Sequence, residues 1–274
     1  ASIAKSGGVA DLVRLLNVEE GGVGMSAYMS AEKAVHALEA AKVQKEIASA
    51  IWSLTINNEE NQVWIAKEGG IAPLIELLQG HPEVHRDVAG ALWALAANSE
   101  NQNTIATMGG IAPLVGLLKD GTQGAQETAA GAIHVLAEMA ENRVSIAKEG
   151  GIGLLVALFN SGTELSIEQA LGALIALAVE NAENQTAIAD QAVTMLKNGS
   201  SMAQEHVTEL LRNLAQDPDN RLAIAKAGAV PELVRQLETG SEKAMMMASS
   251  GLALIALKSE KIRTSVTNQL VRLL

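Results

Sequence analysis

The sequence of 274 residues contains no cysteine, one phenylalanine, one tyrosine and three tryptophans. Without cysteine there is no disulfide, no thiolate nucleophile and no cysteine-based zinc site. This absence fits a reducing compartment, and we expect an intracellular protein that lies in the cytoplasm rather than the nucleus. No stretch approaches the roughly 20 apolar residues of a membrane helix. The first five residues lead straight into a repeat, so we expect no signal peptide.

Positive charge is also scarce, because the formal net charge is −11. Nucleic acids and anionic membranes are bound through clustered Lys and Arg, so neither is an expected partner. Hydrophobic residues make up 48% of the chain but aromatic residues only 2%, which leaves Ala, Leu, Ile and Val to build the core. Such small aliphatic side chains suit closely packed helices better than sheets. The composition therefore predicts an all-α protein.

One phrase recurs along the chain, with IAKEGGIAPLIELL from Ile65 as its clearest copy. Copies start at Ile3, Ile65, Ile105, Ile146, Ile188, Ile224 and Val266, at intervals of 62, 40, 41, 42, 36 and 42 residues. A period near 40 is typical of HEAT and armadillo repeats, at about 40–47 residues. We expect six repeats and a truncated seventh in a single array over residues 1–274, cut from a longer protein.

Each repeat is predicted to contain three helices. The first is short, as from Asn61 to Lys67, and ends at a glycine pair that permits a positive φ. The second opens with proline, as at Pro73, where the missing N–H costs nothing. The third is the longest, roughly Val84 to Ala97 in one repeat, and it ends in turns such as NSEN.

The third helices carry a buried stripe of two rows three residues apart. The first row is Ile51, Leu92, Ile133, Leu174, Leu211 and Leu254. The second row is Leu54, Leu95, Leu136, Leu177, Leu214 and Leu257. Glycines within these helices, at Gly90, Gly131 and Gly172, would be costly in a free helix and indicate close approach of a neighbouring helix.

The pattern GGIAPLV, GALWALA and ENQ between Gly69 and Gln102 resembles the armadillo repeats of importin-α and β-catenin. The resemblance covers nearly the whole chain. It implies a right-handed α-solenoid of three-helix repeats whose third helices line a concave groove. Because each repeat contacts only its neighbours, such arrays present extended binding surfaces.

Two repeats depart from this pattern. The first contains an insertion at about 17–41, in which residues 30–41 are predicted to form an extra helix capped by Ser30 and residues 19–24 a loop. It is interpreted as a tolerated surface insertion or a degenerate repeat, with a partner-specific contact as the alternative. The repeat at about 188–223 lacks the glycine pair, so its first two helices are expected to be shortened or fused. The run Met245-Met246-Met247 is expected to pack in the core, with an adaptable partner contact as the alternative.

The register of the third helices predicts which side chains face the groove. The predicted binding residues are Lys45, Trp52, Arg86, Trp93, Glu127, His134, Glu138, Glu168, Glu205 and Arg212. The amino-terminal third of this groove is aromatic and basic, and its middle is acidic. The alternative interpretation is that the tryptophans cover the groove floor and the charges are a solvated face.

The groove differs in detail from those of the families it resembles. Importin-α pairs each groove tryptophan with an asparagine four residues later, which clamps the bound peptide. Here Ile56 and Ala97 follow Trp52 and Trp93, so nuclear-signal binding is not expected. The acidic middle of the groove differs likewise from the basic groove of β-catenin.

Trp64 lies in a short first helix, where other repeats have small residues. It is interpreted either as an exposed contact on the edge of the array or as packing against the insertion. We find no catalytic constellation. His81 and His85 lack a third metal ligand. We therefore expect no enzyme, no cofactor, no metal and no small-molecule substrate.

The leading hypothesis is an interaction scaffold that binds an extended peptide or protein segment along the groove. One alternative is a structural subunit of a larger assembly, held through its edges and convex surface. Another is the substrate-recruiting domain of a multidomain ubiquitin ligase.

Overall fold

The fold is given by a computed structural model, which describes the backbone of residues 31–273 and the side chains of residues 38–273. Within that range every regular element is helical, as the composition and the repeat period predicted. The chain packs as two compact units, of which the first ends at Met139 and the second begins at Ala140. Among the described helices, none combines the length and apolarity needed to cross a bilayer.

The first unit, called unit 1, contains seven of these helices. They are α1 (Ala31–Thr55), α2 (Glu59–Lys67), α3 (Ile71–Leu77), α4 (His85–Leu95), α5 (Ser99–Thr107), α6 (Ile111–Asp120) and α7 (Gln123–Leu136). A 3₁₀ turn over Pro82–Val84 precedes α4. The third helices α1, α4 and α7 pack side by side in that order, while α3 and α6 each pack against the third helix that follows them.

The second unit, called unit 2, contains nine helices. They are α8 (Ala140–Lys148), α9 (Gly151–Ser161), α10 (Glu164–Ala178), α11 (Ala182–Asn198), α12 (Ser201–Leu214), α13 (Asn220–Lys226), α14 (Ala229–Thr239), α15 (Glu242–Ala256) and α16 (Glu260–Val271). Its third helices α10, α12 and α15 again pack in sequence. In the shortened repeat one continuous helix, α11, stands where other repeats have two, because no glycine pair interrupts it.

The glycine pairs form the turn between the first and second helices. Gly69, Gly109 and Gly150, the first glycines of their pairs, have a φ of +81°, which confirms the predicted left-handed turn. Gly228, which Ala229 follows, has a φ of +86° at the corresponding turn. The second glycine of a pair serves close packing, since a Cβ on Gly110 would lie 2.7 Å from Cγ2 of Ile105. The sequence predicted proline at the first position of the second helices, and this is wrong. Proline is instead the third residue of α3, α6 and α14. That position still lies in the first turn, where the backbone N–H has no helical partner.

Three of the described turns after third helices, at 58–61, 98–101 and 181–184, follow an Asn-x-Glu-Asn pattern in which each asparagine has a separate role. The first caps the next helix, as Asn98 does when its Oδ1 accepts from the N–H of Glu100 and Asn101. The second is buried and bridges two repeats. The Nδ2 of Asn101 donates to the carbonyl of Leu95 at 3.0 Å and to that of Gln62 at 3.1 Å. The Nδ2 of Asn184 donates in the same way to Leu177 and Arg143. We call Asn101 and Asn184 the bridging asparagines.

The predicted buried stripe is confirmed in the third helices up to α12, with Leu54 partly exposed and the other members at most 3% exposed. In α15 the predicted register is wrong, because Leu257 is 67% exposed and Leu252 and Ile255 are buried instead. The start of the helix explains the shift. Ser241 caps α15 as Ser200 caps α12, and this places Leu252 level with Leu211.

Two further expectations are corrected. The helix predicted to end near Ala41 continues without a break as α1 to Thr55, so it forms part of the third helix of its repeat. Ser30 and the predicted loop at 19–24 lie outside the described residues. The methionine run does not form core, since Met245 is 36% and Met246 is 61% exposed. The buried residues of that turn are Ala244 and Ala248.

Candidate protein-binding surface

Two tryptophans lie one repeat apart on the third helices of unit 1, and each rests on a glycine of the next third helix. A Cβ on Gly90 of α4 would lie 2.5 Å from the indole of Trp52, and a Cβ on Gly131 of α7 would lie 2.6 Å from that of Trp93. Both indoles are half-buried. The predicted role of Gly90 and Gly131 in close packing is therefore confirmed. Each glycine packs against an indole ring of the preceding third helix.

Arg86 connects the first of these tryptophans to the third repeat. Its guanidinium carbon lies 5.7 Å from the ring centroid of Trp52, within the range of a cation–π contact. Its stem lies against α7, where a Cβ on Gly124 would come within 2.8 Å of the Arg86 Cδ. Since Arg86 itself is exposed, Trp52 and Arg86 present one combined aromatic and cationic surface to solvent.

The remaining predicted residues of unit 1 lie on the same three helices or at their ends. Lys45 of α1 is exposed, seven residues before Trp52, and so shares its helical face. Glu127 and His134 of α7 are half-buried, whereas Glu138 follows the helix and is exposed. The carboxylate of Glu138 accepts from Nε2 of Gln102 at 3.5 Å. We call the exposed face of α1, α4 and α7 the third-helix surface.

In unit 2 the predicted groove residue Glu205 has partners on a neighbouring third helix. Its carboxylate accepts from the hydroxyl of Ser241 and pairs with Nζ of Lys243 at 3.5 Å. Lys243 also pairs with Glu209 at 3.1 Å. The hydrogen bond from Ser241 and the charge of Lys243 hold the pKa of Glu205 below its ordinary value of 4.5. Glu205 therefore joins α12 to α15 as well as contributing charge.

This arrangement predicts a pH dependence for the contact between α12 and α15. Because the pKa of Glu205 is lowered in the folded state, its stabilising contribution is present above pH 4.5 and is lost as the pH falls through the lowered value. Lys243→Met should therefore reduce stability at pH 7 by at most about 1 kcal/mol, because the pair is partly exposed and screened. At an acidic pH below the lowered pKa of Glu205, the variant and the wild type should converge, as denaturant midpoints can test. A loss of equal size at both pH values would contradict the assignment.

The other two predicted residues of unit 2 differ in their surroundings. Glu168 of α10 is exposed. Arg212 of α12 is half-buried; its Nη1 donates to Oδ1 of Asn213 at 3.0 Å. Its Cβ lies 3.6 Å from the position of a Cβ on Gly251, so the arginine stem fills space between α12 and α15. Arg212 thus has a packing role that the sequence did not indicate.

Trp64 lies apart from the third-helix surface, on α2, and is 36% exposed. The alternative prediction for Trp64 was packing against the insertion at about 17–41. Part of that insertion lies outside the described residues. Met108 at 52% and Val144 at 41% are further exposed apolar side chains at or near first helices. Among the described residues, no group of three His, Cys, Asp or Glu side chains could hold a metal ion.

Sequence reasoning missed two buried glutamines beside the turns. Gln62 and Gln102 directly follow Asn61 and the bridging Asn101, and they are 5% and 4% exposed. Their recurrence in the ENQ motif was the available signal, but it contributed only to the resemblance. The structure gives them a position at the end of the third-helix surface.

Comparisons with known proteins agree with this architecture. The sequence profile described as the armadillo/beta-catenin-like repeat matches residues 58–97. An engineered protein solved by the Northeast Structural Genomics Consortium shares 27% identity and a TM-score of 0.72, over 97% of this chain and 62% of its own. The chain thus spans less than two thirds of that protein. A second engineered protein shares 25% identity and a TM-score of 0.67, over 92% of this chain and 97% of its own.

A designed armadillo repeat protein solved in complex with the peptide (KR)4 shares the fold, with 20% identity and a TM-score of 0.66 over 90% of this chain and 99% of its own. Among curated proteins, none is similar enough in sequence to count as a relative. The profile match assigns residues 58–97 to an armadillo/beta-catenin-like repeat, and the described part of the chain has the fold of an armadillo-repeat solenoid.

Proposed function

We propose that the protein is an interaction scaffold that binds an extended peptide segment along the third-helix surface of unit 1. The observation that carries this proposal is the pair of half-buried indoles, Trp52 and Trp93, which are held at successive repeats by Gly90 and Gly131. Tryptophan and arginine are, with tyrosine, the residues enriched among binding hot spots. Because packing already fixes the indoles in the free protein, binding a segment costs less side-chain entropy.

The designed armadillo protein that binds (KR)4 supports peptide binding for this fold, but the surface here favours a different segment. Arg86 already occupies one face of Trp52, at 5.7 Å from the ring centroid, so a second cation there would be repelled. Ile56, which is 52% exposed, follows Trp52 by one helical turn. An apolar or acidic stretch of the segment suits Trp52, Lys45 and Arg86. A basic stretch suits Glu127 and Glu138.

Substitution of both tryptophans tests the proposal. A peptide selected from a random library on the wild-type protein should bind Trp52→Ala with Trp93→Ala at least roughly thirtyfold more weakly, because truncating a hot-spot aromatic costs about 2 kcal/mol or more. Circular dichroism should show an unchanged helical content, since the buried leucine rows hold the helices together. Trp64→Ala is the matched control and should bind as the wild type does.

The main alternative is a structural subunit held through its edges, and the exposure of Trp64 favours it. Normal binding by the double variant, combined with loss of binding in Trp64→Ala, would overturn the proposal and support that alternative.

Ionic strength gives an independent test. The charges of Lys45, Arg86 and Glu138 are exposed, so salt should screen their attraction to a complementary segment. Raising the salt concentration from about 0.05 to 0.5 M should weaken binding and slow association, because the Debye length falls from about 14 to 4 Å. Affinity that is independent of salt would mean that these charges do not face the segment.

A further inference from the structure

A groove of about 440 Å³ lies between α8 and α11 in unit 2, and its lining includes the start of α9. The apolar side chains of this lining are Val144, Ala147, Ile152 and Ala187. The volume falls in the range of about 300–1,000 Å³ that is usual for binding sites. We call this feature the first-helix groove.

Gly153 keeps the first-helix groove open. It follows Ile152 in α9, where Ala72 follows Ile71 in the corresponding helix α3. A Cβ on Gly153 would have no atom within 4 Å, so a side chain here would project into open space. Because Gly153 is part of the lining, that side chain would partly fill the groove.

Trp64 of unit 1 stands at the position that Ala187 holds in the groove. Each of the two residues directly precedes the isoleucine that starts its copy of the repeated phrase, Ile65 or Ile188. The indole of Trp64 is 36% exposed on α2. Tryptophan is enriched at protein interfaces and among their hot spots. One surface thus presents an indole at the position where the other has only a methyl group.

Two charged residues flank Trp64 on α2. Glu60 lies four residues before it and Lys67 three residues after it, so the three side chains share one helical face. Both charged side chains are exposed. Along its direction, α2 therefore presents a negative charge, an indole and a positive charge.

The groove carries one charge of each sign at its two ends. Glu183 is the second residue of α11, Lys148 is the last residue of α8, and both are exposed in the lining. Because α8 and the first part of α11 are equivalent segments of successive repeats, they run in the same direction. A helix that lies antiparallel to them therefore brings a leading negative charge to Lys148 and a trailing positive charge to Glu183.

We infer that the first-helix groove of one copy receives Trp64 of a second copy, with α2 antiparallel to α8 and α11. Burial of the indole against the apolar lining drives the contact, and the two charge pairs fix its direction. The net charge of −11 on every copy opposes association, so the contact forms only at high protein concentration. It involves no residue of the third-helix surface and does not depend on the proposed function.

Such a contact is heterologous, because the two surfaces that meet are different. Every assembly then keeps an unused indole at one end and an unused groove at the other. In sedimentation velocity, the average mass should rise beyond that of a dimer between about 10 µM and 1 mM protein. A chain that stays monomeric over this whole range would overturn the inference.

Two variants remove the two sides of the contact separately. Trp64→Ala should weaken association at least roughly thirtyfold, because it truncates the central aromatic side chain. Gly153→Met should weaken it at least roughly tenfold, because the new side chain takes the space of the indole. Gly116→Met is the matched control, since a Cβ on Gly116 of α6 also has no atom within 4 Å. Association that persists in Trp64→Ala, or is lost equally in Gly116→Met, would contradict the contact.

Mixing the two variants tests whether the contact is heterologous. Trp64→Ala retains the groove and Gly153→Met retains the indole, so each alone should be monomeric. Their mixture should form a dimer with the affinity of the wild-type contact and nothing larger, because one indole and one groove remain. A mixture that stays monomeric would overturn the inference.

Exchange of charges tests the antiparallel direction. Lys67→Glu should weaken association about fivefold, since its carboxylate would meet Glu183, and Lys67→Glu with Glu183→Lys should restore it. Absence of restoration would contradict the direction of α2 in the groove. Trp52→Ala with Trp93→Ala should leave association unchanged, and its loss there would contradict the contact. If association fails while tryptophan-dependent peptide binding persists, the groove is wrong and the proposed function stands.

Discussion

Replacing the bridging Asn101 with alanine should lower the free energy of unfolding of unit 1 by about 3 kcal/mol. The side chain is 3% exposed, and its two amide protons go to the carbonyls of Leu95 and Gln62. The substitution removes both hydrogen bonds, each with a net value of about 1 kcal/mol, and leaves the two carbonyls in an environment with little water. The loss should be this large because the two carbonyls belong to different repeats, so the asparagine helps to hold one repeat on the next.

Asn103→Ala in the same helix is the matched control, since Asn103 is exposed. Its effect should stay within about 0.5 kcal/mol. Hydrogen exchange is the suitable measurement, because repeat arrays open locally and a single unfolding midpoint need not describe them. In Asn101→Ala, amides of α2 and α5 should exchange faster. Equal effects of the two substitutions would show that the bridge contributes nothing to the stacking of the repeats.

Substituting alanine for glycine should have opposite effects at two helical positions of unit 1. At Gly131 the new Cβ would lie 2.6 Å from the indole of Trp93, whereas at Gly116 no atom lies within 4 Å of it. Gly116→Ala should therefore stabilise α6 by about 1 kcal/mol through helix propensity. Gly131→Ala should destabilise by about 2 kcal/mol, because overpacking forces the indole and its helix to move. The two variants should thus differ by about 3 kcal/mol.

A double-mutant cycle isolates the cause of this difference. With Trp93→Ala already present, the clash at position 131 no longer exists, so Gly131→Ala should become neutral or stabilising. Hydrogen exchange of α4 and α7 in the four proteins measures the coupling energy. If Gly131→Ala destabilises equally with and without the indole, Trp93 does not rest on this glycine in the folded protein.

Features that depend on one residue and its backbone were predictable from the sequence. The glycine pairs predict a left-handed turn because few other residues adopt a positive φ without strain, and Gly69 at φ +81° bears this out. The stripe of Ile51, Leu92 and Ile133 followed from helical periodicity. Both kinds of feature repeat with the 40-residue period and need no knowledge of neighbouring repeats.

The register of α15 could not be predicted from the local amino-acid sequence alone. Residues 173–177 and 253–257 both read ALIAL, but Leu177 is fully buried and Leu257 is 67% exposed. The position of the helix start decides which residues face inward, and Ser241 sets that start. Aligning the capping residues, rather than the apolar letters, would have given the correct register.

The contact partners of polar side chains could not be predicted from the sequence either, because they lie one repeat away. Arg86 meets Trp52, Asn101 meets Gln62 and Lys243 meets Glu205, at separations of 34, 39 and 38 residues. Periodicity predicts that such residues share a face, but not which of them touch. For this reason the third-helix surface was predicted as a set of residues, whereas its combined aromatic and cationic character emerged only from the structure.

The three tryptophans offer the most direct test of the proposed binding surface. Trp52, Trp64 and Trp93 are the only tryptophans in the sequence, so the ¹⁵N spectrum contains three indole N–H signals. Single substitutions assign them. When a peptide selected on the wild-type protein is added, the signals of Trp52 and Trp93 should shift together with one affinity, and that of Trp64 should stay in place. A shift of the Trp64 signal, with those of Trp52 and Trp93 unchanged, would contradict the assignment of binding to the third-helix surface.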